Sequence, residues 1–177
     1  DVELAGAVAS HYMDAHNVTD DKVQAAPLAA EASAALVDAA ERAAGLHSHE
    51  QALAMLEHAL SLTHDPRAKA DLQQRAARSA GVLARHDIAI DYACSALSWY
   101  QDHGDDEEIA EAARLVGFVL SHAFKAPEAI KVLEPVVAGD PSLARPGSVR
   151  AASELARAFR MSVRNQDAAD LSNRVIG

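Results

Sequence analysis

The chain has 177 residues, of which half are hydrophobic but only 4% are aromatic, and its formal net charge is −10. A core of this composition consists mainly of Ala, Leu, Val and Ile, and the abundant alanine predicts helices and no strands. The negative charge argues against direct nucleic-acid binding, which needs a basic surface to displace counterions from phosphates.

Apolar residues recur at spacings of three and four along nearly the whole chain, which predicts successive helices bounded by Asp, Ser, Pro or Gly. The predicted helices cover residues 2–15, 28–44, 48–63, 66–85, 87–102, 105–123, 126–138, 148–164 and 166–176. Asp65-Pro66 and Asp140-Pro141 each combine a capping carboxylate with a proline suited to a turn or a first helical position. Residues 16–27 show no clear periodicity and are expected to connect the first helix to the rest.

Small residues recur along the chain at a nearly constant spacing, which indicates an internal repeat. The second helix of each predicted hairpin carries a matching alanine: Ala52, Ala89, Ala129 and Ala168, which are 37, 40 and 39 residues apart. Twelve residues before each lies a small residue of the first helix: Ala40, Ala77, Gly117 and Ala156. We expect the two helices of each hairpin to cross closely there. The sequence therefore predicts one domain with an N-terminal helix and connection (1–27) and four repeat units (28–66, 67–104, 105–141 and 142–177).

This skeleton of small and large residues, with Pro66 and Pro141 closing two hairpins, resembles the tetratricopeptide repeat over roughly residues 28–177. The resemblance implies an all-α, right-handed superhelix (an α-solenoid) whose concave surface is lined by the first helix of each hairpin. The sequence departs from the family in its longer spacing, since the usual period is about 34 residues. It also lacks the first-helix Trp and most of the aromatic residues.

A second resemblance rests on the runs LAGAVASHYMDA at 4–15, LVDAAERAA at 36–44 and EQALAMLEHALSLTHDP at 50–66. These runs look like the helical region that follows the ATPase module in large bacterial transcriptional regulators and adenylate cyclases. The resemblance implies a segment of a larger, cytoplasmic bacterial signalling protein. We also expect a fragment because the chain begins at Asp1 and ends at Gly177.

Sequence signatures of common catalytic and metal sites are absent: there is no Gly-rich phosphate loop, G-x-S-x-G, H-E-x-x-H or C-x-x-C. We therefore expect no enzyme activity and no cofactor. His47 and His49 suggest a metal site, but two nitrogen ligands without a third favour solvated loop histidines. The single cysteine, Cys94, is expected to be a buried, inert thiol and fits a reducing cytoplasm. No apolar run approaches the roughly 18 residues of a membrane span.

Charge reverses along the chain, and this is the main functional signal. Residues 1–65 contain eleven acidic and two basic side chains, whereas residues 142–177 contain six arginines and three acids. The repeat register predicts that the concave surface carries Gln74, Arg78, Arg114, Phe118, His122, Arg150, Arg157 and Arg160. Guanidinium groups bind carboxylates and phosphates in a bidentate manner, which suits an acidic peptide or an anionic small molecule. Alternatively, these arginines pair with Glu111, Glu154 and Asp71 and only make the surface soluble.

The sequence thus predicts a non-catalytic interaction or sensor segment of a bacterial regulator. Its partner is a protein, an acidic peptide or another domain of the same chain. The alternatives are a helical array that senses an anionic small molecule and a stand-alone scaffold protein.

Overall fold

The computed structural model describes residues 22–176, and within this range the secondary structure consists of eight helices and no strand. The helices are α1 (Lys22–Gly45), α2 (His49–Leu62), α3 (Pro66–Val82), α4 (His86–His103), α5 (Asp106–His122), α6 (Ala126–Ala138), α7 (Pro146–Met161) and α8 (Asn165–Ile176). The prediction of an all-α chain is confirmed. The helix predicted at 2–15 lies outside the described residues.

Two of the described helices begin with a side-chain cap, which supplies an acceptor to the first backbone N–H groups of the helix. The Asp65 carboxylate accepts a hydrogen bond from Ala68 N at 2.7 Å. Asp105 and Glu108 form a capping box, in which each side chain accepts from the other residue's backbone N–H at 2.9 and 3.1 Å. The acidic run that includes these residues therefore has a structural role at the start of α5.

Four turns repeat along the chain with the same backbone geometry. Each contains a residue in the left-handed region: His47, Ala84, Phe124 and Val163, with φ of 62°, 56°, 60° and 61°. These positions are 37, 40 and 39 residues apart, the spacing predicted from the alanines. Ser48 N, Lys125 N and Arg164 N donate back to carbonyls five residues earlier at 2.8 to 2.9 Å. Glycine is the usual residue at such helix ends, yet none of the four is glycine.

Three helices differ from the prediction by two or more residues at an end. Helix α1 begins at Lys22 rather than 28 and contains Pro27, so the expected connection is partly helical. A proline inside a helix removes one hydrogen bond without excluding the helix, and the alanines around Pro27 favour it. Helix α3 ends at Val82 rather than 85, and α7 ends at Met161 rather than 164, because a left-handed turn residue follows each helix. Helix α7 also begins at Pro146 rather than 148, with the proline in its first turn.

The chain divides into two compact units, unit 1 (Asp1–Leu83) and unit 2 (Ala84–Gly177). Within unit 1, α2 packs against both α1 and α3. Within unit 2, α5 packs against α4, α6 and α7, and α7 also packs against α6 and α8. The four repeat units stay a prediction.

The aligned small residues lie where helices approach closely. All four alanines of the second helices are at most 3% exposed, and Ala40, Ala77 and Ala156 are at most 2% exposed. A Cβ atom built on Gly117 would lie 2.5 Å from Leu133 Cδ1, which is much closer than real contacts allow. Small side chains are therefore required because interiors pack densely and the helices leave no spare volume.

Candidate functional site

Five of the eight predicted site residues lie together on one surface of unit 2, where α5 and α7 pack side by side. This surface, the α5–α7 face, contains Arg114, Phe118 and His122 from α5 and Arg150 and Arg157 from α7. The Arg157 guanidinium carbon lies 5.6 Å from the centre of the Phe118 ring, and Arg157 Nη2 lies 3.3 Å from His122 Nδ1. The face is therefore continuous across the two helices.

Glutamates bind the first two arginines of this face. Arg114 donates from Nε and Nη2 to Glu111 at 3.0 and 2.7 Å. Arg150 donates from Nε to Glu111 at 3.2 Å and from Nη2 to Glu107 at 3.0 Å. Because Glu111 accepts from arginines of both helices, it ties α5 to α7.

The third arginine is paired within its own helix. Arg157 donates from Nε and Nη2 to Glu154 at 3.0 and 2.7 Å, and the Glu154 side chain is only 10% exposed. The face thus has three arginines and three glutamates, which form a charge ladder: Glu107, Glu111, Arg114, Arg150, Glu154 and Arg157. The excess of positive charge expected from the sequence is balanced locally.

The ladder changes the acidity of its members. Partial burial alone would raise the pKa of Glu111, but hydrogen bonds and charges from Arg114 and Arg150 outweigh it, so this pKa lies below its usual value. The hydrogen bond to Glu111 in turn raises the pKa of Arg114. Both groups are therefore charged at neutral pH, and the ladder is fully formed there.

The N-terminal end of α7 is fixed to α5 by further polar contacts. Gly147 N donates to Glu107 Oε2 at 2.9 Å, and a Cβ at Gly147 would lie 2.7 Å from that oxygen. Arg145 bridges Asp106 and Asp140. The Asp140 carboxylate also accepts from Arg145 N at 3.1 Å and from Ser142 Oγ at 2.9 Å, and the backbone hydrogen bond from Arg145 is the main reason that its pKa lies far below the usual range.

The remaining three predicted residues lie elsewhere. Gln74 and Arg78 are on α3 of unit 1, where Arg78 Nη2 donates to Gln74 Oε1 at 3.4 Å. Arg160 is exposed in the last turn of α7, and no carboxylate of the described side chains forms an ion pair with it.

Unit 1 contains a cavity of about 400 Å³ between α1, α2 and α3. Its lining residues are Ala40, Glu41, Ala44, His49, Leu56, Arg75, Arg78, Ser79 and Val82. Arg75 pairs with Glu41 across the helices. Arg78 was predicted for the concave surface rather than for a cavity, and Arg75 and His49 were not among the predicted concave residues.

The expectation that Cys94 is buried is wrong, because its side chain is exposed on α4. The buried positions of α4 are Ala89, Ala93, Ala96, Leu97 and Tyr100, and residue 94 lies off that stripe. Neighbouring atoms still desolvate the thiol in part and, together with the Asp91 carboxylate, raise its pKa. The thiol is therefore protonated at neutral pH.

The ring centres of His47 and His49 are 6.3 Å apart, and the rings are tilted by 54°. His47 lies in the turn, but His49 is the first residue of α2 and its Nδ1 is buried, so the expectation of a solvated loop histidine is wrong for His49. Between residues 22 and 176, no three His, Cys, Asp or Glu side chains lie close enough to hold a metal ion. In the same part of the chain, no helix has the length and apolar character needed to span a bilayer.

No protein-family model matches the chain, and no curated protein is similar to it in sequence. Solved structures are similar in fold. A kinesin-light-chain-type protein of Podosopora anserina with nearly identical TPR-like repeats superposes with a TM-score of 0.74 at 18% identity, covering 98% of this chain and 90% of that one.

The chain has a tetratricopeptide-like (TPR-like) helical-repeat fold. Two further structures share it. YrrB, a TPR protein with an unusual peptide-binding site, superposes with a TM-score of 0.63 at 16% identity, and the match covers 99% of this chain and 82% of the YrrB chain. Rap protein complexed with Competence and Sporulation Factor superposes with a TM-score of 0.67 at 18% identity, and the match covers 95% of this chain and 47% of the Rap chain. The predicted TPR-like fold is confirmed, and these identities establish the fold alone.

Proposed function

We propose that this chain is a non-catalytic interaction module that binds a carboxylate-bearing segment of a partner protein along the α5–α7 face. The observation that supports this most is the arrangement of Arg114, Arg150 and Arg157. Glutamates hold all three in fixed positions on one continuous surface beside the partly buried Phe118 ring.

The paired arginines still have binding capacity. A guanidinium group has five N–H donors, and the glutamates contact only Nε and Nη2 of each arginine. Arg150 is also 51% exposed. A partner carboxylate can therefore bind the remaining donors, and less side-chain entropy is lost because the arginines are already ordered.

The similar structures support a polypeptide partner. YrrB has a peptide-binding site, and the Rap protein was crystallised with Competence and Sporulation Factor. The sequence resemblance to bacterial ATPase-containing regulators adds a context for this module. In that context it is a cytoplasmic sensor segment whose partner is another domain of its own chain.

Calorimetric titration tests the binding face. The titrant is a twelve-residue peptide of alternating Glu and Ala, and the variants are Arg150→Ala and Arg174→Ala. Arg174 is an exposed arginine of α8, where it donates to Pro141 O, and it provides a matched control outside the face. We expect Arg150→Ala to weaken binding about tenfold, since a hydrogen bond to a charged group contributes about 1.5 kcal/mol or more.

Salt and stability complete that test. Binding of the wild type should weaken as salt rises from about 0.1 M to 1 M, since the Debye length falls from about 10 to 3 Å. Equal affinities of wild type and Arg150→Ala, at unchanged Tm, would overturn the proposal. Arg157→Ala is not suitable for this test, because it would leave the nearly buried Glu154 without its partner.

The unit 1 cavity supports a second candidate function, the sensing of a small anionic molecule. Its volume of about 400 Å³ suits a small ligand, because binding pockets measure about 300–1,000 Å³. Arg75, Arg78 and His49 supply donors, and Leu56 and Val82 supply apolar contacts. Native mass spectrometry of the purified protein should show a bound anion that Arg78→Ala loses and that Arg42→Ala, an exposed position of α1, retains. Spectra without any adduct would remove this candidate.

A further inference from the structure

Two exposed apolar side chains occupy strained turn positions in unit 2. Phe124 follows α5 and Val163 follows α7, both with left-handed φ, and they are 86% and 79% exposed. Left-handed backbone is unfavourable for residues with a Cβ and most unfavourable for β-branched ones such as valine. Glycine would remove both the strain and the exposed apolar surface. The fold therefore does not explain why these two residues are large and apolar.

The two turns lie at the same end of the α5–α7 pair. Arg157 of α7 contacts both Phe118 and His122, and His122 is the last residue of α5. Arg157 Nη1 also lies 3.9 Å from the sulfur of Met161, the last residue of α7, which is 42% exposed. The C-terminal ends of both helices are thus neighbours. We call the surface formed by Phe124, Lys125, Arg160, Met161 and Val163 the turn edge.

The charge of the turn edge differs from that of the neighbouring ladder. Lys125 and Arg160 are exposed, and neither forms an ion pair with a carboxylate in the described part of the chain. Lys125 is also the N-cap residue of α6 and makes no side-chain cap hydrogen bond. A cation at a helix N-terminus is unfavourable, so the local structure does not explain this lysine either.

From these observations we infer that the turn edge is a second interaction surface that binds an acidic, amphipathic segment of a partner protein. Phe124, Met161 and Val163 provide the apolar contacts, and Lys125 and Arg160 pair with the partner's carboxylates. An anionic membrane is a poorer occupant. Two cations attract such a surface only weakly, and the chain has a net charge of −10.

Phe124→Gly combined with Val163→Gly separates binding from folding. Glycine adopts the left-handed conformation without strain, so the double variant should melt at the same temperature as the wild type or higher. Its surface loses both apolar contacts. A random library of displayed twelve-residue peptides, selected on the full chain, provides the probe.

We expect the selected peptides to combine Asp or Glu with Leu, Ile or Phe, and to bind the double glycine variant at least tenfold more weakly than the wild type. Arg174→Ala, an exposed position of α8 outside both surfaces, should leave this binding unchanged. Peptides without this composition, no enrichment, or full binding to the double glycine variant would each overturn the inference. Binding to phosphatidylserine vesicles that the glycine variant loses would also overturn it, in favour of a membrane surface.

Discussion

The two units use equivalent first helices in different ways. In unit 2, α5 and α7 are joined by Arg150 to Glu107 and Glu111, by Gly147 N to Glu107, and by Arg145 to Asp106. In unit 1, α1 and α3 share the Arg75–Glu41 pair beside a cavity of about 400 Å³. The same hairpin pattern thus gives a closed, charge-balanced face in one unit and an open cavity in the other.

This difference shows that repeat geometry and surface chemistry are separable. Buried alanines hold the helices together in both units. The exposed positions differ between the units: unit 2 has a charge-balanced face, and unit 1 has a cavity. Mutations can test this division because each unit offers a matched position.

The largest expected effect is at the helix crossing. Gly117→Leu in unit 2 should destabilise the fold by about 1–3 kcal/mol or more, because even a Cβ there meets Leu133. Gly45→Leu in unit 1 is the control, since a Cβ at Gly45 would have no neighbour within 4 Å. Chemical denaturation of both variants measures the difference. Equal stabilities would show that the repeat register is wrong.

A smaller loss of stability is expected from a substitution in the loop before α7. Asp140→Asn should lower the Tm at neutral pH, because the carboxylate holds Arg145 N, Ala144 N and Ser142 Oγ. The pKa of Asp140 is lowered on folding, so its stabilisation is complete above the unfolded value of about 3.9 and is lost as pH falls below it.

The Tm gap between the wild type and Asp140→Asn should therefore be constant above about pH 5 and narrow below about pH 4. Melting curves across this range measure it. Asp65→Ala, which removes a single cap hydrogen bond in unit 1, should cost about 1 kcal/mol at neutral pH. A Tm gap that stayed constant down to pH 2 would contradict the role given to Asp140.

The smallest expected change in stability compares one interhelical ion pair from each unit. Glu107→Gln should cost about 1 kcal/mol, because Glu107 accepts from both Gly147 N and Arg150. Glu41→Gln should cost at most about 0.5 kcal/mol, since Glu41 and Arg75 are both well exposed. Urea denaturation of both variants measures the two losses of unfolding free energy. A greater loss of unfolding free energy in Glu41→Gln than in Glu107→Gln would contradict the proposed difference between the units.

The sequence was sufficient for the hairpins because small residues at crossings and Pro or Asp at helix starts act locally and recur with the repeat. It was insufficient for the ladder. Glu111 and Glu154 were named as arginine partners from the sequence, but Glu107 was not. Its contacts with Gly147 and Arg150, 40 and 43 residues later, follow from the packing of adjacent first helices.

The cavity and the strained turns were also beyond sequence reasoning. A cavity arises where side chains of three helices fail to fill the space between them, and no local pattern records that. A glycine would indicate a left-handed turn in the sequence, but Phe124 and Val163 do not. An alignment of the four turns by the repeat spacing could have located these left-handed residues.

We propose above that an acidic polypeptide binds the α5–α7 face. Two-dimensional ¹⁵N–¹H NMR of the labelled chain, titrated with the alternating Glu-Ala peptide, tests it most directly. We predict shifts of backbone amides in 107–122 and 146–161, together with the Arg150 Nε–H signal, and no shifts around the unit 1 cavity. Shifts confined to residues 40–82, or a spectrum unchanged at millimolar peptide, would contradict the account.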